Sequence, residues 1–175
     1  LHRAMNALLP EDIAVVKREG VNGTFHARYS IKAKTYRYTI LTSKHRSALA
    51  RNFSLHYPWK LNVARMRHEA KTLIGRKDFK AFQASDSDKS DERTPSTVRT
   101  IKDITIRKAG EFITIEIEAN GFLYKMVRNI VGALLEVGKG KLPPGTVKKV
   151  LQSKKRSKII PAVPAKGLCL IEARY

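Results

Sequence analysis

NGFLYKMVRNIVGALLEVG, residues 120–138, is the longest apolar segment of the chain and the natural axis of its core. Phe122, Met126, Ile130 and Leu134 recur at helical spacing, as do Leu123, Val127, Val131 and Leu135, so two adjacent ridges cover more than half of a helix. Asn120 is placed to cap its start and Gly138 to take a left-handed turn at its end, a length of roughly 26 Å at ~1.5 Å per residue. Arg128 and Asn129 interrupt this surface. A guanidinium cannot shed its charge, so Arg128 needs an acid or hydrogen-bond acceptors beside it. Its neighbours at helical spacing are Tyr124, Lys125, Val131 and Gly132, none acidic. The local sequence leaves its partner open.

Working outward, 175 residues suit one domain able to bury about 70% of its unfolded surface. The 35 Lys and Arg against 15 Asp and Glu leave a net charge of +20. Gly20 to His68 and Val137 to Ile171 contain no acid at all. Two long acid-free stretches point to a polyanionic partner, with nucleic acid foremost. Cys169 is the only cysteine, which excludes an intrachain disulfide and a cysteine-based zinc site and suits a reducing compartment. The five histidines show no metal-ligand spacing. Residues 120–138 carry Lys125, Arg128, Asn129 and Glu136, too polar for a lipid span, so a cytoplasmic protein is expected. The chain opens at Leu1 directly in a helical pattern, which reads as a piece of a longer protein.

Along the chain, His2 to Leu9 reads as a helix tail stopped by Pro10, and Ile13 to Lys17 as a short strand. Phe25 to Ile31 alternates like a half-buried strand, continued by Thr35 to Leu41 with Tyr36, Tyr38 and Ile40 on one face. Residues 43–60 read as an irregular basic connection. Asn62 caps a helix carrying Val63, Met66, Ala70, Leu73 and Ile74 inward, closed by Gly75. Ala84 to Thr97 reads as a mobile polar loop. Ile101 to Arg107 and Phe112 to Ala119 form a hairpin turning at Ala109 and Gly110. A shorter helix begins at Pro143 or Pro144 with Val147, Val150 and Leu151 inward; its exit, SKKRSK, reads as a solvated helix end or a binding motif. Leu168 to Ala173 is a last strand. The predicted fold is α+β, a mainly antiparallel sheet with helices packed on one face.

No autonomous catalytic set emerges from the residues. There is no phosphate-binding glycine loop, no histidine beside a nucleophile, and no carboxylate cluster outside Asp86 to Glu92. Taken alone, these observations describe a basic binding domain. The motifs add more. KTYRYTI at 34–40, DFKAF at 78–82, ANGFLYKMVRNIVGALLEVGKG at 119–140 and PAKGLCLIEARY at 164–175 resemble, in order and approximate spacing, the C-terminal half of the TruA family of tRNA pseudouridine synthases. FHAR at 25–28 also fits. The resemblance covers practically the whole chain, and NGFLYKMVRNIVG is its most specific part.

The resemblance implies an enzyme that isomerises uridine to pseudouridine in the tRNA anticodon stem-loop, without cofactor or metal, and as a homodimer holding one tRNA across both subunits. Such an enzyme must detach uracil from ribose, hold the base while it turns, and rejoin it through C5. A nucleophilic aspartate opens the route and a base removes the C5 proton. The family carries that aspartate in an RTDxGVHA-like motif of its N-terminal half, and no such motif lies between Leu1 and Tyr175. The expectation is therefore that residues 1–175 form a single C-terminal domain, inactive alone. By motif position, Tyr36 packs on the target base and is a candidate for C5 proton removal; the plain alternative is a core aromatic on a strand. Arg128 pairs with the nucleophilic aspartate, or else bonds backbone carbonyls. Without its aspartate it should meet water, an anion or neighbouring backbone. Leu168 lines the uracil pocket, or is a core leucine. Arg28, Lys34, Arg37, Lys139 and Lys141 are the candidate RNA contacts.

Cys169 departs from the usual GLYL, Lys155 replaces the acid of a KDR-like element before Arg156, and the Ser85 to Ser96 loop is longer than usual. The rival to an enzyme is a free-standing RNA-binding module, although the chain lacks the KGFGFVxF-type pattern of common sheet-based RNA binders.

Overall fold

Pro10 has no backbone donor to continue a helix, and the first helix, α1 (His2–Leu8), ends with Leu9 in extended conformation. This computed structural model describes residues 1–84, 96–156 and 159–175, which divide into two compact units, Leu1–Ser30 and Ile31–Tyr175. The expected loop between Ala84 and Thr97 falls mostly on residues 85–95, outside the described residues, as do residues 157 and 158 of the SKKRSK exit.

In the first unit, two expected strands are absent. Ile13 to Lys17 forms none, because the Asn6 side chain takes both backbone groups of Val15: Nδ2 donates to its carbonyl at 3.0 Å and Oδ1 accepts its N–H at 2.7 Å. Phe25 to Ser30 folds into turns instead. The N–H groups of Tyr29 and Ser30 reach the His26 carbonyl, while the Ser30 hydroxyl accepts from the His26 N–H at 3.0 Å. Short polar side chains here offer the backbone a local alternative to a ladder.

The second unit holds β1 (Ala33–Leu41), β2 (Leu55–His56), α2 (Val63–Lys71), β3 (Gly75–Asp78), β4 (Val98–Ala109), β5 (Phe112–Ala119), α3 (Met126–Gly138), α4 (Thr146–Ser153) and β6 (Leu168–Arg174). Lys80–Phe82 and Ala165–Gly167 are single 3₁₀ turns. The six strands make one sheet in the order β2-β1-β5-β4-β3, with β6 also pairing with β1, and every pair is antiparallel except β1 with β2. It is an α+β fold with the helices on one side of the sheet.

The predicted hairpin is β4–β5, turning at Gly110 with φ 55°. Ile113, Ile115, Ile117 and Ala119 of β5 are all buried, as alternation requires when one face is dry. Asn62 caps α2 as expected, its Oδ1 accepting the Arg65 N–H at 3.0 Å. Met66 and Ala70 of α2, and Ile130, Val131, Leu134 and Leu135 of α3, close the core over the sheet. Burial of each large apolar side chain contributes roughly 1.5–3 kcal/mol.

The long apolar helix is shorter than expected. α3 begins at Met126 and spans about 20 Å at ~1.5 Å per residue. Asn120 does not cap it, because its Oδ1 accepts the Thr100 N–H at 2.9 Å across the hairpin, and Lys125 at φ 56° breaks the helical path. Gly138 stays helical; a Cβ there would lie 2.8 Å from the Met66 sulfur, so the glycine serves close packing of α2 on α3. Gly140, at φ 78°, takes the left-handed turn instead. Likewise α4 starts at Thr146 rather than at Pro143 or Pro144. Buried Glu69 of α2 organises that start, accepting the N–H of Gly145 at 2.5 Å and of Val147 at 3.1 Å.

Candidate active site

The segment PAVPAKG, residues 161–167, follows α4 and leads into β6, and its prolines and small residues let it lie close against other backbone. It crosses α3 at Gly132, where a Cβ would stand 1.9 Å from the Pro161 carbonyl oxygen, so only glycine admits the contact. One turn earlier on α3, Arg128 Nε donates to the Val163 carbonyl at 2.6 Å and the Val163 N–H returns to the Arg128 carbonyl at 3.3 Å. The next residue, Pro164, accepts the Tyr38 hydroxyl at 2.8 Å. At the end of the segment, a Cβ on Gly167 would meet the Tyr38 ring at 2.8 Å. The segment is thus a strap joining the first turn of α3 to the middle of β1.

Arg128 has found a backbone acceptor, an outcome shared by an active-site arginine lacking its aspartate and by the plain alternative of an arginine bonding backbone carbonyls. It is half-buried, and no carboxylate pairs with it among the described residues. Its charge reaches Tyr38. Burial pushes the Tyr38 phenol well above its ordinary range against a smaller opposing pull from Arg128, so the hydroxyl stays protonated and donates.

Tyr38 also connects the other two expected site residues. Leu168, the first residue of β6, is its cross-strand partner, and directly opposed residues share a face of the sheet. Tyr36 lies two positions along the same strand and so on that face too. It is half-buried, with its ring edge-on to Phe122 at a centroid distance of 5.1 Å. Tyr36, Leu168 and Arg128 are therefore gathered around one buried phenol. Together they offer an aromatic ring, an apolar side chain and a guanidinium, a set suited to holding a flat polar base and an anionic group beside it.

The candidate RNA contacts fall on both units. Arg28 belongs to the first unit, its guanidinium 5.6 Å from the Tyr29 ring. Lys34 and Arg37 are on β1, and Arg37 is engaged by Glu116 of β5 at 2.7 Å. Lys139 and Lys141 do meet, lining with Tyr57, Trp59 and Lys60 a groove of about 370 Å³. Burial lowers the Lys139 ammonium pKa, but the Glu136 hydrogen bond and charge outweigh it and hold it above its ordinary value. Among the described residues no group of three or more His, Cys, Asp or Glu could hold a metal ion, and no helix is long and apolar enough to cross a membrane.

Reading the residues singly missed the strap, Gly132, Gly167 and the supporting part of Tyr38. It also missed what joins DFKAF to MVRN: Phe79 and Phe82 are fully buried, and the Asn129 amide donates to the Phe82 carbonyl at 2.6 Å. The available signal was a glycine, Gly132, in the interior of the apolar helix of a chain that also carries the proline-rich segment 161–167.

The family description "tRNA pseudouridine synthase" matches residues 70–175. The protein named tRNA pseudouridine synthase A from Thermoanaerobacter sp. (strain X514) is 48% identical over 172 residues, which cover 98% of this chain and 68% of that relative. A protein named tRNA pseudouridine synthase A 2 from Clostridium perfringens (strain 13 / Type A) is 44% identical with the same coverage, and the synthase A of Bacillus pumilus (strain SAFR-032) is 39% identical over 172 residues. With such identity along nearly its whole length, this chain belongs to the tRNA pseudouridine synthase family.

Proposed function

We propose that the chain supplies one wall of an active site that isomerises uridine to pseudouridine in the tRNA anticodon stem-loop, and that the nucleophilic aspartate comes from a domain outside residues 1–175. The observation that carries this reading is Arg128: a half-buried guanidinium, held at Nε by Val163 and paired with no carboxylate among the described residues, beside the strand that bears Tyr36. In this reading Arg128 orients and stabilises the incoming aspartate. Tyr36 packs on the uracil, and its phenol oxygen takes the C5 proton, while its own hydrogen passes through solvent to N1, once the C1′–N1 bond has been exchanged for C1′–C5. Leu168 closes the apolar side of the base pocket and limits water there. Arg28, Lys34, Arg37, Lys139 and Lys141 contribute contacts to the RNA backbone. The protein works in the cytoplasm as a homodimer holding one tRNA across both subunits, a feature that rests on the family resemblance.

The test has two arms. Residues 1–175 incubated with unmodified tRNA should yield no pseudouridine, and turnover by this chain would overturn the assignment of the nucleophile elsewhere. In the full-length protein, Arg128→Ala and Tyr36→Phe should each lower kcat by at least tenfold with tRNA affinity changed far less; wild-type turnover by either variant removes that residue from the mechanism.

A further inference from the structure

Beyond the strap, β1 runs on to a second concavity, of about 610 Å³, whose lining includes Arg46, Ser47, Arg51, Ser54, His56 and Lys166. Its chemistry is one-sided. Four of these side chains are basic, none is acidic, and the sequence from Gly20 to His68 contains no acid that could reach in from the same connection. Among the described residues, Arg46, Arg51 and Lys166 make no ion pair. Three permanent cations facing one concavity repel one another, and a bound anion relieves that repulsion.

One hydroxyl is free to help, since Ser54 Oγ already donates to the Ala50 carbonyl at 2.8 Å. Ser47 Oγ accepts the Ala50 N–H at 3.1 Å, which leaves its own hydrogen for another acceptor. His56 Nε2 lies 2.9 Å from the Ser43 carbonyl, which can only accept, so Nε2 carries the hydrogen there and the ring is held in place. Arginine forks match phosphate oxygens in geometry as well as charge. The volume falls within the ~300–1,000 Å³ common for ligand pockets and exceeds what one small ion fills.

The position gives this chemistry its meaning. Lys166 precedes Gly167, the residue pressed against the Tyr38 ring, and Leu41, which also lines the concavity, lies three residues along β1 from Tyr38. We infer that this basic concavity seats a backbone phosphate of the RNA substrate, a short way along β1 from the Tyr36, Arg128 and Leu168 wall. Phosphate contacts carry no sequence information but fix the position of the strand. Here they anchor the backbone so that a detached base can turn without the ribose drifting. The inference rests on the proposed function for the identity of the RNA, but its test reads binding and not turnover.

The experiment measures binding of an anticodon stem-loop RNA by residues 1–175 across a salt series, for the wild type and for Arg46→Gln, Arg51→Gln and Lys166→Gln. Lys71→Gln, on the exposed side of α2 and outside both acid-free stretches, is the control, and thermal midpoints confirm that each variant is folded. All three concavity positions are exposed, so the substitutions leave the core untouched. Each concavity variant should bind several-fold more weakly at low salt and lose ~0.7–0.9 from the slope of log affinity against log salt, the amount for one phosphate contact. The control should keep the wild-type slope. Concavity variants indistinguishable from Lys71→Gln would overturn the inference. Inorganic phosphate and uridine monophosphate form the second arm: tight binding of either that depends on Arg46 and Arg51, with unchanged RNA slopes, would assign a small-anion site and likewise overturn it. A full-length protein that makes no pseudouridine would end the catalytic reading while leaving these slopes to decide the phosphate site.

Discussion

The Tyr38 hydroxyl donates to the carbonyl of Pro164 at 2.8 Å, and through that bond the most buried phenol of the sheet holds the strap against the site. Tyr38→Phe keeps the ring and removes the bond, leaving a carbonyl without its donor. It should cost about 1 kcal/mol of stability, read from urea unfolding. The sign at high pH follows from the raised phenol pKa. Its contribution is fully present below the ordinary tyrosine value, about pH 10, and is lost as pH rises further, because the unfolded chain ionises first. The alkaline loss of stability should therefore be shallower in Tyr38→Phe than in the wild type.

Gly132→Ala should be far more damaging than a helix alanine normally is. Alanine has the better helix propensity, yet its Cβ would occupy a point 1.9 Å from the Pro161 oxygen. The strap must lift, taking Val163 away from Arg128. A loss of ~1–3 kcal/mol or more is expected by urea unfolding. The measurement that separates this from general damage is an equal substitution at Gly20, where a Cβ meets nothing and stability should hold.

Glu69→Ala strips two backbone N–H groups of their acceptor at the buried start of α4. About 2 kcal/mol or more should be lost, since buried donors left unsatisfied carry their full desolvation penalty. Glu69→Gln retains one carbonyl acceptor and should lose less. Hydrogen exchange at Val147 and Gly145 would report the change directly.

Asp78 accepts the Thr97 hydroxyl at 2.6 Å and the Lys80 N–H at 3.0 Å, with Lys154 at 3.7 Å, and these hold its carboxyl below the ordinary value. A depressed carboxyl pKa stabilises the fold above the unfolded value and loses that contribution as pH falls through the folded one. Asp78→Asn should thus be less stable than the wild type at neutral pH. The two should converge in acid below the ordinary carboxylate range, as thermal midpoints across pH will show.

Much of this was legible from local pattern. The alternation of β5, the Asn62 cap and the Gly110 turn are each set by residues within a few positions of one another, and the structure carries all three. The failures share a cause. Asn120 looked like a helix cap but spends its side chain on Thr100 across a hairpin, and Gly138 looked like a terminator but makes room for Met66. Glu69 gave no hint of serving α4. The motif resemblance picked out Tyr36, Arg128 and Leu168 for the chemistry it implies, whereas Tyr38, which links them, reads as an ordinary core aromatic until Pro164 is in view. Periodicity speaks for neighbours along the chain, and these relationships join residues far apart in it.

That separation governs when the wall comes into being. The bonds from Tyr38 to Pro164 and from Arg128 to Val163 close loops of 126 and 35 residues. Strand pairing of β4 with β5 and the capping of α2 need only local search, but the wall waits for the last strand to dock on β1. A chain arrested before residue 160 would hold most of its core and lack Leu168 and both of these bonds.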